Sequence, residues 1–262
     1  MIEKTAFFER LRSAFEKNGV GDGLDADKEN KFFALTETML EVNENMNLTA
    51  IKDEDGIITK HYADSLLMLG VGIPEGKSVC DVGCGGGFPS FPIAIMRPDL
   101  KVTAIDSTAK KIRYINEMAE KIGIKNLRAY CGRAEEIAAS KVPASVGAEL
   151  REMKNREKFD VVTARAVASL PVLAELCLPL VKVGGVFVAM KSKTAEEELD
   201  AARTAIEKLG GKVEKVEKKA LLFSEDGEKD DDAERTIITI RKIGRTPAEY
   251  PRTFAQIKKK AL

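Results

Sequence analysis

Phe7, Phe8, Leu11 and Phe15 recur at three- and four-residue spacing, and Phe32, Phe33, Leu35, Thr36, Met39 and Leu40 repeat the pattern on a second segment. That period is the one-sided apolar stripe of an amphipathic helix. A third helix is predicted over Ile57 to Leu69, after which Gly70, Gly72 and Pro74 interrupt the pattern. An apolar stripe needs a surface to cover. Residues 1–71 are therefore expected to form an N-terminal helical extension packed against whatever residues 72–262 build.

Beyond residue 72 short apolar runs alternate with amphipathic segments. The runs Ser78 to Val82, Val102 to Ile105, Leu127 to Cys131, Phe159 to Thr163 and Val186 to Met190 have strand length; Phe91 to Met96, Ala109 to Ile122, Leu170 to Leu180 and Thr194 to Leu209 have helical period. Gly210-Gly211 ends the last of these, as glycine commonly does after a helix. Alternation of this kind predicts an α/β fold, a mostly parallel, doubly wound sheet with helices on both faces. Two longer extended stretches follow, Lys212 to Phe223 and Arg235 to Ile243, with an acidic turn between them, and read as a C-terminal antiparallel hairpin. The fold class expected is a Rossmann-like sheet with the helical extension in front.

At 262 residues, 44% apolar and 32% charged, the chain is long enough to bury a sizeable core. No apolar run approaches the roughly 20 residues that span a bilayer. Glu3, Lys4, Glu9, Arg10, Arg12, Glu16 and Lys17 break up the start of the chain, so no signal peptide and a cytoplasmic location are expected. Cys80, Cys84, Cys131 and Cys177 sit in or beside apolar or glycine-rich stretches and are expected as reduced thiols. The CxxxC pair Cys80 and Cys84 has no second pair, and His61 lies far upstream, so no metal site is expected. With 42 basic and 42 acidic residues the chain lacks the field of a general nucleic-acid binder, and any RNA contact must be local. Glu225 to Glu234 is densely acidic, whereas Arg241 to Lys260 carries Arg241, Lys242, Arg245, Arg252, Lys258, Lys259 and Lys260 against Glu249 alone. That tail is either a phosphate-binding arm or a solvated terminus.

The strongest local chemistry is Asp81-Val82-Gly83-Cys84-Gly85-Gly86-Gly87-Phe88-Pro89, directly after one predicted strand and before a predicted helix. Glycines there allow positive φ and close approach of backbone to a ligand, and Pro89 suits a first helical turn. Such a turn is shared by nicotinamide and flavin enzymes and by some turns that bind nothing. Two features favour S-adenosylmethionine. The glycines fall as GxGxG at Gly83, Gly85 and Gly87, with Phe88 where a dinucleotide fingerprint would have its last glycine. Asp81 would repel a pyrophosphate but not a sulfonium or an amino group. Asp106, ending the second strand, is placed either to accept both ribose hydroxyls or to cap the next helix. After the third strand, Gly132-Arg133-Ala134-Glu135-Glu136 stands where an adenine would lie in this architecture, or simply starts a helix. The closing hairpin is the usual methyltransferase variation on a doubly wound sheet.

Absences narrow the acceptor. The chain has no Asn- or Asp-Pro-Pro-aromatic motif of the kind that holds an exocyclic amine, and no Pro-Cys nucleophile of the kind used on pyrimidine carbons. The acceptor is expected to be nucleophilic in itself, as guanine N7 is, leaving catalysis to positioning and electrostatics.

These residues resemble the bacterial small-subunit ribosomal RNA guanine-N7 methyltransferases, the RsmG or glucose-inhibited division protein B family. The resemblance runs from Asn47-Leu48-Thr49-Ala50-Ile51 and His61-Tyr62-Ala63-Asp64-Ser65-Leu66 through Asp81 to Pro89, Gly132 to Glu136 and Thr163-Ala164-Arg165-Ala166-Val167-Ala168 to Lys191 and the basic C-terminus. It implies an enzyme that moves a methyl group from S-adenosylmethionine to N7 of one guanine in 16S ribosomal RNA, without metal or covalent intermediate. Gly83, Gly85, Phe88, Ala134, Glu135 and Arg165 would contact the cofactor and Asp106 would hold its ribose. Arg133, Lys191, Arg252, Lys258, Lys259 and Lys260 would meet RNA, in the free state or in the small ribosomal subunit. On chemistry alone, Arg165 serves cofactor, RNA phosphate or an ion pair, and Lys191 a phosphate or a solvated strand end. His61 is expected to be structural, since N7 has no proton to remove. The chain departs from the family at Ser90, where glycine is usual, and in a longer connection from Ser140 to Lys158, expected as a surface loop or extra helix. Rival readings are a small-molecule methyltransferase, a nicotinamide-dependent oxidoreductase and a non-catalytic RNA-binding or ribosome-assembly factor.

Overall fold

The computed structural model describes residues 2–192, 195–222 and 233–262. Two helices open the chain, α1 (Lys4–Lys17) and α2 (Ala26–Met46). A continuous helical segment over 54–71, α3, follows; it is π-helical over Ile57–Ala63 and ends in a 3-10 turn, Leu67–Val71. Then come β1 (Ser78–Val82), α4 (Ser90–Met96), β2 (Lys101–Asp106), α5 (Ala109–Lys121), β3 (Leu127–Cys131), α6 (Ala134–Ile137) and α7 (Ala148–Glu152). The chain continues through β4 (Phe159–Arg165), α8 (Leu170–Cys177), β5 (Val181–Lys191), α9 (Ala195–Lys208), β6 (Gly211–Ala220), β7 (Glu234–Lys242) and α10 (Phe254–Lys259).

The strands form one sheet in the order β3-β2-β1-β4-β5-β7-β6. The first five are parallel, and β7 runs antiparallel to both β5 and β6. The order reverses between β1 and β4, and in open α/β sheets ligands bind in the crevice that this reversal leaves at the carboxyl edge. The antiparallel β7 brings its beginning, not its end, to that edge: Lys191 pairs with Thr236.

The two-residue period of the strands divides the core. Val79, Val188 and Ile237 face one side, where they join Phe7, Leu11, Phe15, Phe32 and Tyr62 of the N-terminal helices. Their neighbours Cys80, Phe187 and Ile238 face the other, under α8 and α9. The stripes on α1 and α2 thus cover one face of the sheet and share its core.

The predicted strands and helices are present, several with shifted ends. β4 runs on to Arg165, which pairs with Met190. β5 begins at Val181, five residues before the expected start, because a register shift between Phe159 and Val161 absorbs the Gly184-Gly185 step. Thr194, Phe223 and most of the acidic turn from Glu225 to Glu234 lie outside the described residues. The Ser140 to Lys158 connection forms α7 and buries Val146 and Leu150 in the core.

The C-terminal segment is bolted down. The Arg156 guanidinium donates to the carbonyls of Ala138, Thr246, Pro247 and Tyr250. Ser140 donates to Ala248, and Glu157 accepts from the Thr246 N–H. Lys242, fully buried, donates to the carbonyls of Leu178 and Leu209 and to the Thr246 hydroxyl. Burial lowers its ammonium to about 8, against the pull of nearby Glu157.

Candidate active site

A cavity of about 770 Å³ opens at the carboxyl edge, over the reversal between β1 and β4. Its floor is the turn after β1. Gly83 donates to the Ile105 carbonyl at 2.8 Å, which ties that turn to β2. Gly83 has φ +75°, and a Cβ there would stand 2.6 Å from Val167, the residue packed against it from the turn after β4. Gly87, at φ +95°, admits the Phe91 ring, which a Cβ would meet at 2.3 Å. The loop is therefore glycine-rich because backbone and side chains close on it from two sides.

Asp106 ends β2 with one carboxylate oxygen accepting from the Gly85 N–H at 3.1 Å and the other from the Thr108 N–H at 2.8 Å. It does not cap α5, whose N-cap is Thr108. It braces the glycine turn and lines the cavity. Gly132, Arg133, Ala134 and Glu135 line the adjoining wall after β3. Glu135 is 8% exposed, and burial raises its carboxyl. Arg133 is half exposed, 3.8 Å from Glu135, with its guanidinium 5.7 Å from the centre of the Phe254 ring.

On the other side of the glycine turn the lining is cationic. Arg165 at the end of β4 donates to Asp64 at 2.9 Å and to the Lys60 carbonyl at 2.9 Å. Asp64, 6% exposed on its side chain, accepts from Arg235 at 2.9 Å through its second oxygen. One buried carboxylate thus holds two guanidiniums on the cavity wall. Lys191 closes β5 and pairs with Glu198 at 2.7 Å.

Phe88 stacks on His61, ring centres 4.5 Å apart and planes 10° from parallel. His61 shares a hydrogen bond of 2.7 Å with Thr49 through Nε2. Burial, reinforced by the Arg165 charge, lowers it to about 3, so the ring is neutral. The π-helical stretch of α3 delivers Lys60 and His61 to the cavity, with Asp64 just after it.

Asp81 lies beneath the glycine turn, fully buried and away from the lining. One oxygen accepts from Ser90 at 2.5 Å; the other has no partner among the described residues. Burial raises its carboxyl to about 6, while Ser90 and Arg165 pull the other way. Ser90, fully buried at the start of α4, puts its hydroxyl to use in that bond.

A family profile described as "rRNA small subunit methyltransferase G" (GidB) matches residues 28–222. The chain belongs to this family. Its relatives include the ribosomal RNA small subunit methyltransferase G of Lactobacillus acidophilus, 42% identical over 241 residues, which cover 90% of this chain and 92% of that protein. Those of Geobacillus thermodenitrificans (43% identical, 93% and 94% covered) and Deinococcus radiodurans (43% identical, 90% and 87% covered) are similar to the same degree.

In this chain the cavity collects Gly83, Gly85, Phe88, Asp106, Ala134, Glu135 and Arg165, together with Arg133 and Lys191. It does not collect Arg252, Lys258, Lys259 or Lys260 of the basic tail. Arg252 forms a two-pronged pair with the buried Glu175 of α8, 2.9 and 2.6 Å, and anchors α10. Lys258, Lys259 and Lys260 are exposed on α10 and just beyond it. Sequence reasoning left Asp64, Arg235 and Phe254 without a role. Asp64 stood inside a quoted motif, but Arg235 reaches the cavity only through the antiparallel sense of β7. Among the described residues no group of three or more His, Cys, Asp and Glu side chains is arranged to hold a metal ion, and no helix is long and apolar enough to cross a membrane.

Proposed function

We propose that this protein transfers the methyl group of S-adenosylmethionine to N7 of one guanine in 16S ribosomal RNA. The observation that carries the reading is the polarity of one cavity: Asp106 and Glu135 on the β2–β3 side, the glycine turn in the middle, and Arg165, Lys191 and Arg235 on the β4–β5–β7 side.

The chemistry of these residues fits the cofactor. Asp106 offers two carboxylate oxygens, each carrying one backbone N–H and retaining acceptor capacity for vicinal ribose hydroxyls. Glycine at Gly83 and Gly85 leaves backbone at the surface of the cavity. Ala134 and Glu135 give a small side chain and a desolvated carboxyl beside the place for an adenine. Arg165 and Arg235 offer guanidiniums to a carboxylate or a phosphate. When bound, S-adenosylmethionine supplies a methyl group made electrophilic by its sulfonium.

Guanine N7 carries a lone pair and no proton, so no residue need act as a base. A neutral His61, with Nε2 engaged by Thr49, suits a site without proton transfer. The chain's own work is to orient: Phe88 is fixed between His61 and Arg165, and Asp64 keeps two cations together that would otherwise repel each other. Arg133 and Lys258 to Lys260 extend the basic surface toward RNA, with Arg252 serving as their anchor.

The test is incubation of the purified protein with methyl-labelled cofactor and small-subunit RNA or the small subunit, followed by nucleoside analysis. Label in 7-methylguanosine supports the reading. Label on another atom, or transfer to small molecules without RNA, rejects it.

A further inference from the structure

We infer that Phe254 is a stacking platform for an unpaired RNA base next to the methylated guanine, an inference that rests on the function proposed above. Phe254 stands on the cavity lining and is 38% exposed, the only aromatic residue among the exposed large apolar side chains described. Leaving more than a third of a phenyl ring in water forgoes part of the free energy that its burial would give. The surrounding chain is nonetheless held firmly. Tyr250 is buried before it, and Arg252 is clamped to Glu175. Thr253 and Gln256 close a reciprocal capping box, and Ile257 is fully buried. The segment is thus fixed on both sides while its aromatic ring is left at the cavity.

The ring's neighbours match a nucleobase. The Arg133 guanidinium lies over the Phe254 ring, 5.7 Å from its centre, so an aromatic face and a planar cation, both groups on which unpaired bases stack, form one layered pair. Lys258, Lys259 and Lys260, exposed on the same short segment, supply charge for the phosphates that such a base brings with it. The methylated guanine must itself enter the cavity to reach the methyl group. The partly exposed platform on the lining therefore serves its neighbour.

The chain contains no tryptophan, so Phe254→Trp places a single indole reporter at this position. Its emission is expected to be quenched saturably by small-subunit RNA and left unchanged by S-adenosylhomocysteine. Phe254→Ala is expected to raise KM for RNA about 10-fold, in line with the usual worth of one base stack, with kcat changed less than twofold and S-adenosylhomocysteine affinity intact; Phe254→Tyr should restore KM. Quenching by S-adenosylhomocysteine with loss of its affinity in Phe254→Ala would place the ring on the adenosine and overturn the inference. So would an unchanged KM in Phe254→Ala. If the unmodified protein neither binds RNA nor methylates it, the proposed function fails instead, and that outcome is seen before any variant is made.

Discussion

Asp106 shows how much one side chain in this site does. Its two oxygens hold the glycine turn and the entrance to α5 while remaining open to the cavity. Asp106→Ala is expected to weaken S-adenosylhomocysteine binding about 100-fold or more in titration calorimetry, the loss of two hydrogen bonds to a charged acceptor at roughly 1.5–3 kcal/mol each, with the circular dichroism of the fold retained. Unchanged affinity would remove Asp106 from the ribose. Asp81 makes a different prediction. A free aspartate titrates near 3.9, but in the fold Asp81 is raised to about 6. Between those values the folded state holds a proton that the unfolded chain has released, so this group's contribution to stability falls as pH rises through the window. Asp81→Asn should therefore melt higher than the parent at pH 7.5, by the equivalent of up to about 3 kcal/mol, and the difference should shrink below pH 4. At this scale the sequence was informative wherever role followed local position: the glycines after β1 and the acid after β2. It was silent on Asp64 and Arg235, 171 residues apart, whose contact depends on the sense of a strand on the far side of the sheet.

Among the elements, β1 and β3 have the ends expected from their apolar runs. β5 does not, since glycine in a strand reads as a terminator unless a bulge is known to take it up. The C-terminal segment is the larger lesson. Its charge suggested an arm for phosphate or a loose terminus, yet Arg252 is spent on Glu175 and Arg156 on four carbonyls. Nothing local in the sequence separates a clamping arginine from a solvated one. The long Ser140 to Lys158 connection supplies much of that clamp. Lys242, on the strand leading into the segment, gives a pH test. A free lysine titrates near 10.4, while Lys242 in the fold is lowered to about 8. Between these values the unfolded chain binds the proton and the fold does not, so stability from this group rises with pH across the window. The stability of the parent relative to Lys242→Met, from urea unfolding, should increase by about 2 kcal/mol between pH 7.5 and 10. A flat difference would mean that Lys242 is not desolvated.

For the whole molecule, net charge is zero, and recognition of RNA has to come from where charge is placed. The fold gathers Arg133, Arg165, Lys191 and Arg235 at one edge of the sheet and sets Lys258 to Lys260 on the segment that carries Phe254. Replacing Lys258, Lys259 and Lys260 by alanine should weaken RNA binding and reduce the slope of log affinity against log salt by about 2, from roughly 0.7 per phosphate contact. S-adenosylhomocysteine affinity should stay as it was. The same experiment on a chain cut before residue 244 would be uninformative, because the clamp by Arg156 would go with the tail.

The central claim is tested most directly by comparing the nucleosides of small-subunit ribosomal RNA, by mass spectrometry, from cells with and without the gene for this protein. The account predicts that 7-methylguanosine falls by one residue per RNA in its absence and returns when the gene is restored. A 7-methylguanosine content that is the same in both would contradict it.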